Sequence, residues 1–144
     1  MAPRRKTPTE RYEHYIIAVA GWDLAWFFSI GSPKYDPGPY SEHSTLTFRG
    51  EIHRPTPFRY PRAEVKLSGR AEILEPGPNR CLGYLDARDD WVRAYIPVPA
   101  DRLAMLTAAA PRIRLISLGG DKLFRRKALI RSLHLDTEFN PEDW

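Results

Sequence analysis

Two pairs of side chains in this sequence have the chemistry of metal ligands. His43 and His53 lie ten residues apart in one extended segment, and His134 and Asp136 lie two apart on one face of a later segment. Imidazole and carboxylate groups on neighbouring strands are typical ligands of zinc and other divalent metals. Because no compact two-histidine motif is present, surface histidines or a bond between His134 and Asp136 is the competing interpretation. The sequence favours no metal and no other cofactor.

A basic segment has the composition of an anion site. Residues 111–131 contain seven Lys or Arg and one Asp. If the strands on either side of residues 119–122 form a hairpin, these charges converge near one end of it and can bind the phosphates of a nucleic acid. The alternative is a solvated sheet edge, where charge prevents aggregation. The candidate anion-binding or nucleic-acid-binding residues are Arg112, Arg114, Arg125, Arg126 and Lys127.

Two proline-rich loops, 31–42 and 54–62, carry aromatic side chains. Aromatic residues displayed on loops are typical of protein interfaces. The alternative is that these rings fold back and cap the core. The candidate interface residues are Tyr35, Tyr40, Phe58 and Tyr60.

Catalytic motifs are absent from the sequence. No Gly-x-Ser-x-Gly elbow occurs, and "SLGGDK" has neither the spacing of a phosphate-binding loop nor a helix after it. Asp89 and Asp90 are adjacent, so on a strand they would face opposite ways and could not share a proton. The single cysteine, Cys81, has no base near it in sequence. The sequence therefore favours a protein that is not an enzyme and leaves enzymatic activity open.

The length and composition are those of one globular domain. The chain has 144 residues, a net charge of +4 and 14 prolines, which favour turns over long helices. One cysteine permits no intrachain disulfide and fits a reducing, cytoplasmic location. We expect a disordered basic tail at 1–10, a β-rich domain at 11–139 and an acidic C-terminal tail at 140–144.

The apolar segment from Tyr15 to Gly31 contains Asp23 as its single charge. A membrane-spanning helix needs about 20 apolar residues, and an Asp near the centre opposes insertion. The segment instead follows a period of two, which indicates a strand pair or one long bent strand with a bulge near Gly21. We therefore expect no membrane contact, and we predict that its aromatic residues belong to the core. These are Trp22, Trp26, Phe27 and Phe28.

Alternating apolar and polar residues dominate the rest of the chain, and turn residues recur every 8–12 positions. This pattern predicts an all-β protein, an antiparallel β-sandwich or flattened barrel of about eight strands. Residues 119–122 are predicted to form a hairpin turn, and a change of parity near Arg131 predicts a bulge. One short helix is expected near residues 100–110. The alternative fold is an α+β roll in which part of 12–30 is helical.

The functional expectation is a non-catalytic binding or interaction module. It would be soluble and self-associating as a homo-oligomer, or would bind a protein partner. Two alternatives stay open. One is binding of nucleic acid or another anion through the basic hairpin 112–131. The other is a metal-dependent or ligand-pocket protein that uses the histidine and aspartate residues named above.

Overall fold

The computed structural model describes residues 12–30, 39–70 and 80–144, and its seven strands close into a barrel. The order around the barrel is β1-β2-β3-β5-β4-β7-β6, and β6 pairs back onto β1. The strands are β1 (Tyr12–Ile30), β2 (Tyr40–Arg54), β3 (Arg62–Arg70), β4 (Gly83–Arg88), β5 (Trp91–Pro99), β6 (Leu115–Asp121) and β7 (Lys127–Asp136).

The predicted all-β class is confirmed, in its barrel form. The α+β alternative is wrong because residues 12–30 are strand throughout. The described strands number seven, and they are not all antiparallel, since β5 runs parallel to β3. β4 and β5 form an antiparallel hairpin, and the strand of this hairpin that lies beside β3 is β5.

The core consists of the side chains at alternate positions along the strands, which point into the barrel. Ala63, Val65 and Leu67 point inward from β3, and the alternation repeats on β5. The helix α1 (Ala100–Ala109) then covers one end of the barrel and buries Leu103 against Gly69 of β3. The helix predicted near residues 100–110 is therefore confirmed. The C-terminal residues end in a one-turn 3-10 helix, Pro141–Asp143.

The first strand is a single bent strand with a bulge, as its sequence pattern predicts. Its register against β2 shifts between Val19 and Gly21, which leaves Ala20 as the extra residue. Before the bulge, Tyr15 and Ile17 point into the core. In the described ranges, no helix is long and apolar enough to cross a membrane.

The β6–β7 hairpin corrects one local prediction and confirms another. Residues 119–121 belong to β6, so the predicted turn at 119–122 is wrong. The chain turns later, where Arg125 and Arg126 adopt positive φ angles of 52° and 67°. The predicted bulge is confirmed, because Gly119 pairs with Ser132 and Gly120 with Ile130, leaving Arg131 extra.

Tyr15 makes the stability of the barrel sensitive to alkaline pH. Its hydroxyl donates a hydrogen bond to the carbonyl oxygen of Asp121 at 2.8 Å, and burial raises the pKa of Tyr15 far above its ordinary value. A group with a raised folded-state pKa contributes its full stability below its unfolded pKa, about 10 for tyrosine, and loses it as the pH rises further.

We therefore expect the free energy of unfolding to fall above about pH 10. Tyr15→Phe should cost about 1 kcal/mol at neutral pH, the worth of one hydrogen bond, and should flatten the alkaline decline. Urea titrations across this pH range measure both effects. An unchanged alkaline decline in Tyr15→Phe, with the exposed Tyr12→Phe as control, would contradict the assignment.

Candidate functional site

The hairpin formed by β1 and β2 projects beyond the barrel. We call its projecting part, residues 22–30 of β1 and 40–48 of β2, the arm. Within it the register runs unbroken from Trp22 opposite Phe48 to Ile30 opposite Tyr40. In the described ranges, β6 pairs with β1 only as far as Ala18, and β3 pairs with β2 of the arm only from Thr45 to Phe48. Toward its tip, the described part of the arm is therefore a two-stranded extension of the barrel wall.

One face of the arm is apolar and exposed. Side chains directly opposite each other in an antiparallel pair share a face, so Trp22 and Leu24 lie on the same face as the buried Phe48 and Leu46. This face thus continues the inner surface of the barrel beyond the point where the barrel encloses it. Its exposed apolar residues are Trp22, Leu24, Trp26, Phe28, Ile30 and Tyr40, with exposures between 40% and 83%.

The aromatic rings on this face are ordered by contacts with one another. Trp26 and Phe28 stack with centroids 5.7 Å apart, and Phe28 stacks on Tyr40 at 5.3 Å. The indole nitrogen of Trp26 donates a hydrogen bond to Glu42 at 2.9 Å. These contacts leave the outer surfaces of the rings exposed to solvent. The prediction that Trp22, Trp26, Phe27 and Phe28 form the core is wrong, because alternation does not distinguish a covered strand face from an uncovered one.

The edge of β1 in the arm also lacks a partner strand. Within the described ranges, no strand pairs with the side of β1 away from β2 beyond Val19. Edge strands are commonly protected from association by Lys, Pro or charged side chains. Between Gly21 and Ile30 the one charged residue is Asp23, and it forms an ion pair with Arg49 of the same chain. Among residues 12–30, 39–70 and 80–144, neither a partner strand nor an unpaired charge therefore protects this edge.

A cavity of about 310 Å³ lies where the arm meets β3. One predicted site residue, His43, lines this cavity, and its ring also lies 3.0 Å from the Ser41 hydroxyl and stacks on Phe27. The lining is polar and differs in character from the apolar face of the arm. It consists of Glu42, His43, Ser44, Thr45, Ser68, Gly69 and Arg70.

The structure does not gather the predicted metal ligands into one site. His43 and His53 lie on the same strand, ten residues and therefore roughly 33 Å apart. The Nε2 atom of His134 lies 3.3 Å from the carboxylate of Asp136. Hydrogen bonds from the Glu138 amide and from the His134 ring lower the pKa of Asp136. In the part of the chain that the structure describes, no three His, Cys, Asp or Glu residues are grouped to hold a metal ion.

Two of these histidines instead contact the C-terminal residues. His53 lies 3.1 Å from the carbonyl oxygen of Pro141 through Nε2, and its ring meets Phe139 edge-on. His134 lies beside the ring of Trp144, with centroids 6.3 Å apart. The C-terminal residues thus contact β2 through His53 and β7 through His134.

The basic candidate residues separate into two groups. Arg112 and Arg114 precede β6, whereas Arg125, Arg126 and Lys127 follow it at the other end. The seven residues of β6 place the groups about 20 Å or more apart. The predicted convergence depended on the turn at 119–122 and does not occur. The second group lies against β4, where the amide of Ala87 donates to the carbonyl of Arg126 at 2.8 Å.

The loop aromatics also divide between two environments. Phe58 and Tyr60 pack at the core, with Phe58 edge-on to both Tyr15 and Tyr60. The rings therefore fold back and cap the core, as the alternative interpretation of these loops has it, and an interface role for them stays a prediction. Tyr40 is exposed on the arm, and Tyr35 lies outside the described residues.

Comparison with family models, curated proteins and solved structures finds no match to this chain. Seven of the large apolar side chains that are exposed among the described residues lie on the arm.

Proposed function

We propose that this chain is a non-catalytic interaction module that self-associates through the arm. The observation that carries the proposal is the exposed apolar face of the arm beside a β1 edge that pairs with no other strand among the described residues. A soluble monomer rarely exposes an apolar patch larger than a few hundred Å², and larger patches mark interaction sites. The single cysteine, Cys81, favours a reducing compartment, and we place the protein in the cytoplasm on that ground.

A second copy of the same chain fits this surface. Two β1 edges can pair antiparallel about a two-fold axis, because such an interface uses the same patch on both subunits. The charge of Asp23 is already paired with Arg49 within each chain, so it does not oppose this approach. The apolar faces of both arms would then form one continuous surface across the two chains.

Two contributions would stabilise such a dimer, the backbone hydrogen bonds between the paired β1 edges and the contacts between side chains across the new pair. Side chains opposite each other on one face become cross-strand neighbours, so Trp22, Trp26 and Phe28 can pack their flanks against the partner chain. Each aromatic cross-strand pair contributes roughly 0.2–1 kcal/mol. The two-fold arrangement also uses both partners completely, so assembly stops at the dimer.

Sedimentation equilibrium of the full untagged chain over a dilution series tests the proposal. We expect a monomer–dimer equilibrium whose larger species has twice the chain mass of 16.6 kDa. A mass of one chain at every concentration would contradict self-association. The same mass is expected if another segment of this chain covers the arm or if the arm binds a different protein, so either case also contradicts the proposal.

A further inference from the structure

The neighbouring strands β3, β5 and β4 share an outer face that is rich in charged and aromatic side chains. The remaining outward positions of β3 and β5 are serine and proline. On β3, β5 and β4 the inward positions are apolar, and the outward positions lie in register across the strands. We call this surface the grid. Its first row is Arg62, Trp91 and Arg88, its second is Glu64, Arg93 and Asp86, and its third is Lys66, Tyr95 and Tyr84.

Cations and rings alternate within the grid. The guanidinium groups of Arg62 and Arg93 lie 5.7 and 5.5 Å from the ring of Trp91. The ammonium of Lys66 lies 5.9 Å from the ring of Tyr95, against which Tyr84 stacks at 5.1 Å. These cation–π contacts hold the charged groups beside the aromatic rings without neutralising them.

The grid has an excess of positive charge. With Arg70 included, the outward positions of β3, β4 and β5 hold five cations and two carboxylates. Glu64 is already compensated, because Arg49, Lys66 and Arg93 lie within 3.2 to 3.7 Å of its carboxylate. Lys127 continues the charge onto β7, in register with Asp86.

We propose that the grid binds single-stranded nucleic acid. Proteins that bind single strands combine a positively charged surface for phosphates with aromatic rings on which bases stack. Trp91 and Tyr95 lie four residues apart on β5, so the two rings are about 13 Å apart along the strand. At ~3.4 Å per stacked nucleotide, a segment of about four nucleotides spans them. This site is independent of self-association through the arm.

An acidic polypeptide would satisfy the cations but would make no use of the rings. The arrangement of each ring beside a cation therefore favours a ligand that offers flat bases and phosphates together. The grid lies on β3, β5 and β4. Arg112 and Arg114 of the predicted basic segment precede β6, on a different part of the barrel.

Fluorescence anisotropy with a labelled oligothymidylate of about twelve nucleotides tests the proposal on the full chain. With about four phosphate contacts, the logarithm of the association constant should fall against the logarithm of salt with a slope near −3. Trp91→Ser should weaken binding roughly ten- to a hundredfold, whereas Trp91→Phe should retain most of it. Trp144→Ser is the matched tryptophan control and should have no effect.

A pair of charge reversals keeps the test decisive if Trp91→Ser fails to fold. Arg88→Glu and Arg112→Glu change the net charge equally at exposed positions, but only Arg88 belongs to the grid. Binding that weakens with Arg88→Glu and not with Arg112→Glu supports the site. The proposal would be overturned if both reversals weakened binding equally, or if no binding were detected at low salt. Competition by polyglutamate as strong as competition by unlabelled oligothymidylate would overturn it as well.

Discussion

Replacing Trp26 and Phe28 together with serine is expected to leave the chain monomeric at concentrations where the parent chain is dimeric. Both rings are more than half exposed on the apolar face of the arm, so the barrel loses little by their removal. In the paired sheet each ring is a cross-strand neighbour of the partner chain, and aromatic cross-strand pairs contribute roughly 0.2–1 kcal/mol each. Because the double variant removes two rings from each of two chains, we expect a dissociation constant about tenfold to a hundredfold higher.

The matched control replaces an equally exposed ring elsewhere. Phe124 is 72% exposed in the β6–β7 turn, away from the arm. Phe124→Ser should leave the dissociation constant unchanged, as measured by the same sedimentation series. If the double variant dimerises like the parent chain, or if Phe124→Ser dissociates the dimer equally, the arm is not the interface.

Gly50→Ala is expected to destabilise the barrel severely, whereas Gly21→Ala is not. A Cβ atom at Gly50 would lie 2.0 Å from the carbonyl oxygen of Ala18, which the β1 bulge brings against β2. Backbone cannot move aside as a flexible side chain can, so the two strands must separate where the wall is closed. We expect a loss of about 3 kcal/mol or more.

Gly21 provides the control because it flanks the same bulge. A Cβ there meets nothing within 4 Å, so Gly21→Ala should change the free energy of unfolding by less than about 1 kcal/mol, with a small gain possible from a less flexible unfolded chain. Thermal and urea unfolding of both variants measure the difference. Equal stability of Gly50→Ala and Gly21→Ala would contradict the close approach of Ala18 to Gly50.

Local patterns in the sequence were sufficient for most single elements. The alternation in 63–74 predicts a strand, and β3 confirms it as far as Arg70, after which residues 71–74 lie outside the described ranges. The loss of period near Gly21 predicts the first bulge, and the parity change near Arg131 predicts the second. Each of these features depends on a few consecutive residues. The helix is likewise defined by its own spacing and by Pro111 after it.

Long-range pairing could not be predicted in the same way. The parallel contact of β3 with β5 and the closure of β6 on β1 join residues far apart in the chain, and no local pattern encodes such pairing. The same limit explains the error over Trp26 and Phe28. Whether an apolar face is covered depends on how far the neighbouring strands extend, and in the described ranges β6 pairs with β1 only to Ala18 and β3 with β2 only from Thr45.

The grid could have been found in part. "RAEVK" and "WVRAY" each place charged or aromatic residues at alternate positions, with apolar residues between them. That pattern predicts two strands with an outward face of cations and rings. Their adjacency, which turns two stripes into one surface, again depends on the parallel pairing of β3 with β5.

Residue-resolved amide hydrogen exchange along β1 tests the central claim, self-association through the arm edge, most directly. In an antiparallel pair, the amides that point away from β2 bond only to a strand on the other side. For residues 21–30, we predict that these outward amides exchange slowly at high protein concentration and rapidly once the chain is diluted to monomer. Rapid exchange of the same amides in a sample shown to be dimeric would contradict pairing of the two β1 edges.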